Sequence, residues 1–144
     1  MSMPVWALTG FAAWTLLLMA VTVGTYRWYC ILGGRHGIGY FRSDLSQGPG
    51  WYQRAIRAHA NCVENLPVFG AIVLALETSG TRGSAVDVLA AMVLPLRVLQ
   101  SSVHVAHEQT NAWAAMRFGL FMVQVIAFAA LIALLVRHVT GRGS

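Results

Sequence analysis

Charged residues are scarce in this chain of 144 residues, and lysine is missing altogether. Charged side chains make up only 10% of the sequence, whereas hydrophobic residues make up 57%. In a typical soluble domain about a quarter of the residues are charged. So little polar surface cannot cover a globule in water. This excludes an ordinary soluble domain and indicates an integral membrane protein with lipid on much of its surface.

The missing lysine leaves arginine as the only strongly basic residue. Ten arginines stand against five acidic residues and give a net charge of +5. No Lys/Arg-rich run and no aromatic stacking motif accompanies this charge, so no nucleic-acid partner is expected. Arginine suits sites that hold carboxylate or phosphate groups through a rigid fork of donors. A genome that favours arginine codons is the alternative explanation for most of these residues.

Cysteine is also rare, and its spacing argues against two kinds of site. Cys30 and Cys62 lack the paired spacing of metal ligands, so neither a disulfide framework nor a metal site is expected. Haem or quinone electron transfer through His59, His104 and His107 is one alternative function. Axial haem ligation needs histidines that face each other across helices, and only His104 clearly faces the polar cluster described below.

Four apolar stretches are each long enough to cross a bilayer as a helix. No charged side chain occurs from Met1 to Tyr26, and no positive segment of the kind found in signal peptides precedes this stretch, so it is interpreted as a retained helix. The predicted spans cover residues 4–26, 58–79, 85–107 and 116–136, in a single domain over residues 1–144. The predicted fold class is therefore all-α, an integral membrane four-helix bundle.

The connections between these spans predict the orientation in the membrane. Residues 33–53 form a loop rich in Gly, Ser and Pro, Gly80–Ser84 is a tight turn, and His107–Asn111 is a polar turn. Arginines are more numerous on the side of the long loop than on the side of the termini. The first group is Arg27, Arg35, Arg42, Arg54, Arg57 and Arg117, and the second is Arg82, Arg137 and Arg142. This bias predicts a cell-membrane protein with its long loop in the cytoplasm and both termini outside.

Polar side chains on the second span mark a candidate site, because charge inside a membrane span is costly and by default indicates function. Arg57, Asn61 and Glu64 follow the spacing i, i+4 and i+7, which places them on one face of the helix. At about 1.5 Å per residue, this stripe reaches roughly 10 Å into the membrane from the cytoplasmic end.

A second polar stripe lies near the cytoplasmic end of the third span, at Arg97, Gln100, Ser101 and His104, and Arg117 opens the fourth span on the same side. Short turns between antiparallel helices bring the two stripes together. The result is a pocket with an excess of arginine, which suits a small ligand with several carboxylates. In the alternative interpretation, these charges form interhelical ion pairs that only fix the packing.

The second span also carries a family motif. Residues 57–69 read RAHANCVENLPVF. This segment resembles the MAPEG family, the membrane-associated proteins in eicosanoid and glutathione metabolism, whose pattern at this helix is close to R-A-x-x-N-x-x-E-x-x-P-x-F. The four-span layout and the placement of the later arginines agree with the family across nearly the whole chain. The sequence is most similar to a bacterial, microsomal-glutathione-transferase-like member.

The resemblance implies a homotrimer that binds glutathione, or a related low-molecular-weight thiol, as co-substrate between neighbouring subunits near the cytoplasmic face. It also implies residue roles. Arg117 would stabilise the glutathione thiolate as the catalytic residue, and the glutathione-binding residues would be Arg57, Asn61, Glu64, Arg97, Gln100, His104 and Arg27. Arg35 is the other candidate for the first-helix arginine of the site.

The implied function is that of a membrane-bound glutathione transferase, with or without peroxidase activity, acting on apolar electrophiles or lipid hydroperoxides. The alternative is a non-catalytic protein of the same fold that binds lipid or an anionic ligand, because the family includes the lipoxygenase-activating protein. Two residues depart from the family. Ala60 stands where some members bind glutathione through an arginine. His104 replaces a tyrosine of the eicosanoid-forming enzymes, which argues against prostaglandin or leukotriene formation.

Overall fold

The computed structural model describes residues 1–41, 48–108 and 110–141. Within them, four helical segments are long and apolar enough to cross a membrane: Met3–Leu32, Gly50–Ser79, Ser84–Ala106 and Asn111–Gly141. No strand occurs in the described part of the chain, so the predicted all-α, four-helix membrane fold is confirmed. The first, second and fourth helices are longer than the predicted spans, because polar residues beside each apolar run continue the helix.

The first of these segments is a helix with a widened turn. It consists of α1 (Met3–Leu18), a π-helical segment (Met19–Gly24) and α2 (Thr25–Leu32). In the π segment the Thr22 hydroxyl donates to the Leu18 carbonyl oxygen at 2.5 Å, and such bonds from side chain to backbone compete with the regular helical ladder. One inserted residue rotates the following side chains by about 100° around the axis. The π segment therefore decides which face of α2 packs against the rest of the bundle.

The remaining segments are α3 (Gly50–Ser79), α4 (Ser84–Ala106) and α5 (Asn111–Gly141). Helix α3 ends because Gly80 adopts the left-handed conformation, with φ at 67°. The Gly80 N–H donates to the Glu77 carbonyl oxygen at 3.2 Å, and the Thr81 N–H donates to the Leu76 carbonyl oxygen at 3.0 Å. This Schellman turn caps α3 and reverses the chain, as the predicted turn at Gly80–Ser84 requires. It places the start of α4 beside the end of α3.

Aromatic side chains from three helices form the centre of the apolar core. The Phe69 and Phe128 rings stack with their centroids 5.5 Å apart, and the Phe11 ring lies 6.3 Å from that of Phe69. Leu76 and Leu131 are completely buried in the same cluster. Residues from α1, α3, α4 and α5 thus meet in one core, which fixes the relative positions of the helices that carry the polar stripes.

One charged side chain, Arg97, is buried in this core with 1% of its surface exposed. Its Nη2 atom donates to the Gln124 Oε1 atom on α5 at 2.5 Å, and its guanidinium carbon lies 5.3 Å from the centroid of the Phe11 ring. No salt bridge to Arg97 occurs among the described residues. An amide and an aromatic face therefore stabilise this charge and connect α4 to α5 and α1.

We expect Gln124→Leu to lower the free energy of unfolding by about 1–3 kcal/mol, because it leaves the buried Arg97 guanidinium without its amide acceptor. The double variant Arg97→Met/Gln124→Leu removes both partners and fills similar space, so it should retain most of the wild-type stability. Thermal unfolding in one detergent measures both effects. Gln53→Leu is the matched control, since the Gln53 side chain bonds the Gly48 carbonyl outside this core. Equal losses in the two Gln→Leu variants would contradict the prediction.

Candidate functional site

A cleft of about 290 Å³ opens where α3 and α5 begin and α4 ends. Each of these three helices contributes side chains to it. The lining residues are Arg57 and Asn61 from α3, Gln100 and His104 from α4, and Arg117, Phe118 and Phe121 from α5. The structure thus brings five of the predicted site residues together within a single subunit.

Helical spacing explains why these side chains converge. Arg57 and Asn61 are four residues apart, as are Gln100 and His104, so each pair projects from one face of its helix. The turn at Gly80–Ser84 makes α3 and α4 antiparallel, and the connection after α4 reverses the chain again into α5. The start of α3, the end of α4 and the start of α5 therefore lie at one end of the bundle, which the sequence predicts to face the cytoplasm.

Gln100 links the wall of the cleft to α5. Its side chain is 4% exposed, and its Nε2 atom donates to the Arg117 carbonyl oxygen at 3.2 Å. Its Oε1 atom is shielded from solvent and has no hydrogen-bond partner among the described residues. A buried acceptor without a donor costs roughly 1–3 kcal/mol, so a ligand that offers an N–H group would be stabilised once the side chain turns to present this atom to the cleft.

The charge of the cleft is positive. Arg57 and Arg117 contribute two guanidinium groups, and the residues that line the cleft include no acidic side chain. Asn61, Gln100 and His104 add neutral hydrogen-bonding groups beside them. Guanidinium groups and amides together suit a ligand that carries carboxylates and peptide bonds.

Phe118 and Phe121 form an apolar wall that the sequence analysis did not predict. Phe118 is 65% exposed on the surface of α5, so the cleft borders the side of the bundle that meets lipid or a neighbouring subunit. The sequence feature that could have identified Phe121 as a cleft residue is its spacing, since it follows Arg117 by four residues and so lies on the same face of the helix. In a span rich in phenylalanine and leucine, this signal does not distinguish a cleft wall from a lipid contact.

Two predicted binding residues of α3 and α4 lie outside this cleft. Glu64 is exposed on α3, about one helical turn further into the span than Asn61. Arg97 lies in the core against Gln124, as described above. In the described part of the chain no salt bridge involves Arg57, Glu64 or Arg97, so the ion pairs of the alternative packing interpretation are not observed within the subunit.

The two candidate arginines of the first span also lie away from the cleft. The Arg27 Nε atom donates to the Tyr52 hydroxyl at 2.9 Å, and the Arg27 guanidinium carbon lies 5.5 Å from the centroid of the Phe41 ring. The Arg35 guanidinium carbon lies 4.7 Å from the centroid of the Tyr29 ring. Arg27 thus contacts the start of α3, whereas Arg35 packs on its own segment.

The sequence model of the MAPEG family matches residues 6–137, nearly the whole chain. The chain belongs to the MAPEG family. No individually curated protein matches its sequence. The matched range of this MAPEG protein includes every residue that lines the cleft.

Histidine positions in this MAPEG protein bear on the haem alternative. His104 lines the cleft, whereas the His107 ring stacks on the Trp113 ring with centroids 3.6 Å apart. His59 lies on α3 and is not part of the cleft wall. Among residues 1–41, 48–108 and 110–141, no group of three or more His, Cys, Asp or Glu side chains is arranged to hold a metal ion. Of these three histidines only His104 lines the cleft, so the cleft does not place two of them as axial haem ligands.

If glutathione is the anion of the cleft, Gln100→Ala should weaken its binding by about fivefold to tenfold, because it removes both the bond to the Arg117 carbonyl and the unpaired acceptor. Calorimetric titration of glutathione into the detergent-solubilised protein measures this loss. Gln53→Ala is the matched control, since that side chain bonds the Gly48 carbonyl away from the cleft. Unchanged affinity in Gln100→Ala would show that the amide does not contact the ligand.

Proposed function

We propose that this MAPEG protein is a membrane-bound glutathione transferase that activates the glutathione thiolate for attack on apolar electrophiles, and that it also reduces lipid hydroperoxides. The observation that carries the proposal is the convergence of Arg57 and Arg117 beside the unpaired Gln100 Oε1 atom in a cleft with an aromatic wall. Family membership supports glutathione as the anion that occupies this cleft.

The residues of the cleft suit the parts of glutathione. We assign its carboxylates to Arg57, which offers paired donors, and its peptide groups to Asn61 and Gln100. Ligand sites usually enclose roughly 300–1,000 Å³. The cleft, at about 290 Å³, falls just below this range, so in the proposal a neighbouring subunit completes it.

Arg117 has the catalytic role in this proposal. A free thiol has a pKa of about 8.5, and only its thiolate is a strong nucleophile. A guanidinium held near the sulfur in a site of low dielectric favours the charged form and so lowers the pKa of the bound thiol. Arg117 suits this role because it shares the cleft with Phe118 and Phe121, the side chains through which an apolar second substrate would arrive.

The two proposed reactions begin with the same thiolate. In conjugation the sulfur forms a bond to an electrophilic carbon, and the leaving group departs with the electron pair of the broken bond. With a lipid hydroperoxide the sulfur attacks the terminal oxygen, the O–O bond breaks, and the lipid alkoxide takes up a proton to become an alcohol. The glutathione sulfenic acid then reacts with a second glutathione thiol to give the disulfide and water.

Glu64 and Arg27 motivate the proposal of a homotrimer with sites between its subunits. Glu64 is an exposed carboxylate in a membrane span, which is costly unless a polar partner covers it. Arg27 lies outside the cleft of its own subunit and contacts Tyr52 at the start of α3. A neighbouring copy that packs against this side would cover Glu64 and bring its own Arg27 to the cleft.

Orientation follows from the distribution of arginine. The end of the bundle that holds the cleft carries more arginines than the opposite end. We propose a multi-pass protein of the cell membrane, with the cleft facing the cytoplasm and both termini outside. This orientation places the cleft on the side where low-molecular-weight thiols are kept reduced.

The second candidate function is a non-catalytic binding protein of the same fold for lipid or an anionic ligand. The positive charge of the cleft favours it, because Arg57 and Arg117 would hold an anion whether or not a thiol reacts there. In this alternative the cleft holds its anion without activating a thiol.

Ultraviolet difference absorbance at the thiolate band, on titration of glutathione, tests the proposed enzyme. The wild-type protein should give a saturable signal. Arg117→Ala should lose that signal and at least about tenfold in conjugation rate while still binding glutathione, because the charge that stabilises the sulfur anion is absent. Arg54→Ala is the control. Arg54 lies at the same end of α3, but its Nε atom donates to the Val105 carbonyl oxygen at 3.0 Å and it does not line the cleft.

A full thiolate signal in Arg117→Ala would reject the role assigned to that residue. Binding by wild-type protein without any thiolate signal, and without product from a panel of electrophiles, would favour the binding protein instead. No binding of glutathione at all would mean that the cleft serves another anion.

Mixed-subunit complementation tests whether the site is shared between copies. Arg117→Ala and Arg27→Ala subunits are each expected to be poorly active alone. Their co-expression should restore part of the activity if Arg27 is supplied by a neighbour, because some interfaces then combine an intact Arg117 with an intact Arg27. The same experiment with Glu64→Ala asks whether Glu64 acts in its own subunit or across the interface. An absence of recovery in the Arg27 mixture, with mixed oligomers verified by native mass spectrometry, would place Arg27 and Arg117 in the same subunit's site.

A further inference from the structure

A second polar cavity lies at the opposite end of the bundle, where α3 ends, α4 begins and α5 ends. Its volume is about 400 Å³, larger than the 290 Å³ of the cleft. It shares no residue with the cleft, and the reaction proposed above makes no use of it. The side chains that define its chemistry are Arg82, Arg137, His138, Val86 and Leu134.

The rim of this cavity is cationic and incompletely paired. Arg82 is held by Glu77, with Nη1 donating to Oε1 at 2.6 Å and Nη2 donating to Oε2 at 2.7 Å. Arg137, from the last turns of α5, forms no salt bridge with any residue that the structure describes. The Nε2 atom of the neighbouring His138 is shielded from solvent and has no hydrogen-bond partner among those residues. A bound oxygen anion would pair with the Arg137 guanidinium, and it would accept a bond from His138 once the ring turns to present a protonated Nε2 atom to the cavity.

The start of α4 adds to this positive potential. Gly83 precedes the helix and no side chain caps it, so backbone N–H groups of the first turn remain available beside the cavity. Two acidic side chains are nearby in sequence. Glu77 forms a salt bridge with Arg82, and Asp87 is exposed. Neither residue lines the cavity. The wall residues that the structure describes therefore include cationic donors and no carboxylate.

The floor of the cavity is apolar. Val86 on α4 is buried, and Leu134 lies three residues before Arg137 on α5, about 4.5 Å further into the span. Because α3 ends at Ser79 and α4 begins at Ser84, the cationic rim lies at the ends of the spans, the level at which lipid headgroups occur. A phospholipid has its phosphate at the membrane surface and its acyl chains towards the bilayer centre. A cationic rim above an apolar floor matches this arrangement.

We propose that this cavity binds an anionic phospholipid. The phosphate contacts Arg137, His138 and the first turn of α4, and the first carbons of an acyl chain rest on Val86 and Leu134. Inorganic phosphate could bind the same cationic rim, but it has no apolar part that packs on the floor. This difference is the reason to assign the site to a lipid. The protein would thus hold an anionic lipid on the membrane face opposite to the cleft.

Native mass spectrometry of the full chain, released from nanodiscs that contain phosphatidylglycerol and phosphatidylcholine, tests the site. Wild-type protein should retain phosphatidylglycerol in preference to phosphatidylcholine. Arg137→Gln should reduce the retained phosphatidylglycerol by about tenfold, because a charge-assisted bond to the phosphate is lost, and Arg137→Lys should restore part of it. His138→Phe should reduce retention through loss of the ring nitrogen, with little change in apolar surface.

Arg54→Gln is the matched control, since it removes one arginine at the other end of the bundle. If Arg54→Gln and Arg137→Gln lose equal amounts of phosphatidylglycerol, the net charge of the protein would explain the loss, and the proposal would be overturned. Unchanged retention in Arg137→Gln, or displacement of the lipid by excess inorganic phosphate, would also overturn it, the latter by identifying a site for a free anion. Thermal unfolding of each variant shows that any loss of lipid occurs in folded protein.

Discussion

The absence of water from the bilayer interior is the constraint on which this structure depends. Every backbone N–H and C=O group in the spans must be paired within the protein, and long helices achieve this. Polar side chains in these spans must likewise find partners or gather at the helix ends. Arg97 finds its partners within the protein, because it is buried against Gln124 and Phe11. The side chains that gather at the helix ends and form the cleft include Arg57, Gln100 and Arg117.

The same constraint gives the protein two chemically different ends. At one end three helices bring arginines and amides together in a narrow cleft with an aromatic wall, which suits a peptide anion and an apolar reaction partner. At the other end Arg137 and His138 surround a wider cavity with an apolar floor, which suits a lipid headgroup. The aromatic core of Phe11, Phe69 and Phe128 lies between them and keeps the helices in register. The proposed chemistry at one end is thus structurally separate from the proposed lipid binding at the other.

Much of the fold was predictable from local sequence. The four spans follow from length and hydropathy, because few other structures accommodate such apolar runs, and the turn at Gly80 follows from a glycine that tolerates positive φ. The π segment at Met19–Gly24 was not predicted, because threonine bonds to backbone carbonyls leave no distinctive pattern in an apolar run. Phe118 and Phe121 were missed as cleft residues for a related reason, since an apolar side chain in a span ordinarily meets lipid.

The sequence by itself determined the family through the motif at residues 57–69. It also determined the all-α membrane fold and the helical faces that carry polar residues, because periodicity and hydropathy are properties of each helix alone. The tertiary structure decided which of those residues share a site. Arg57, Asn61, Gln100, His104 and Arg117 converge, whereas Arg97 turns into the core and Glu64 and Arg27 lie outside the cleft. The physical reason is that periodicity fixes the face of a helix, whereas its rotation and depth against its neighbours depend on how side chains such as Phe11, Phe69 and Phe128 pack.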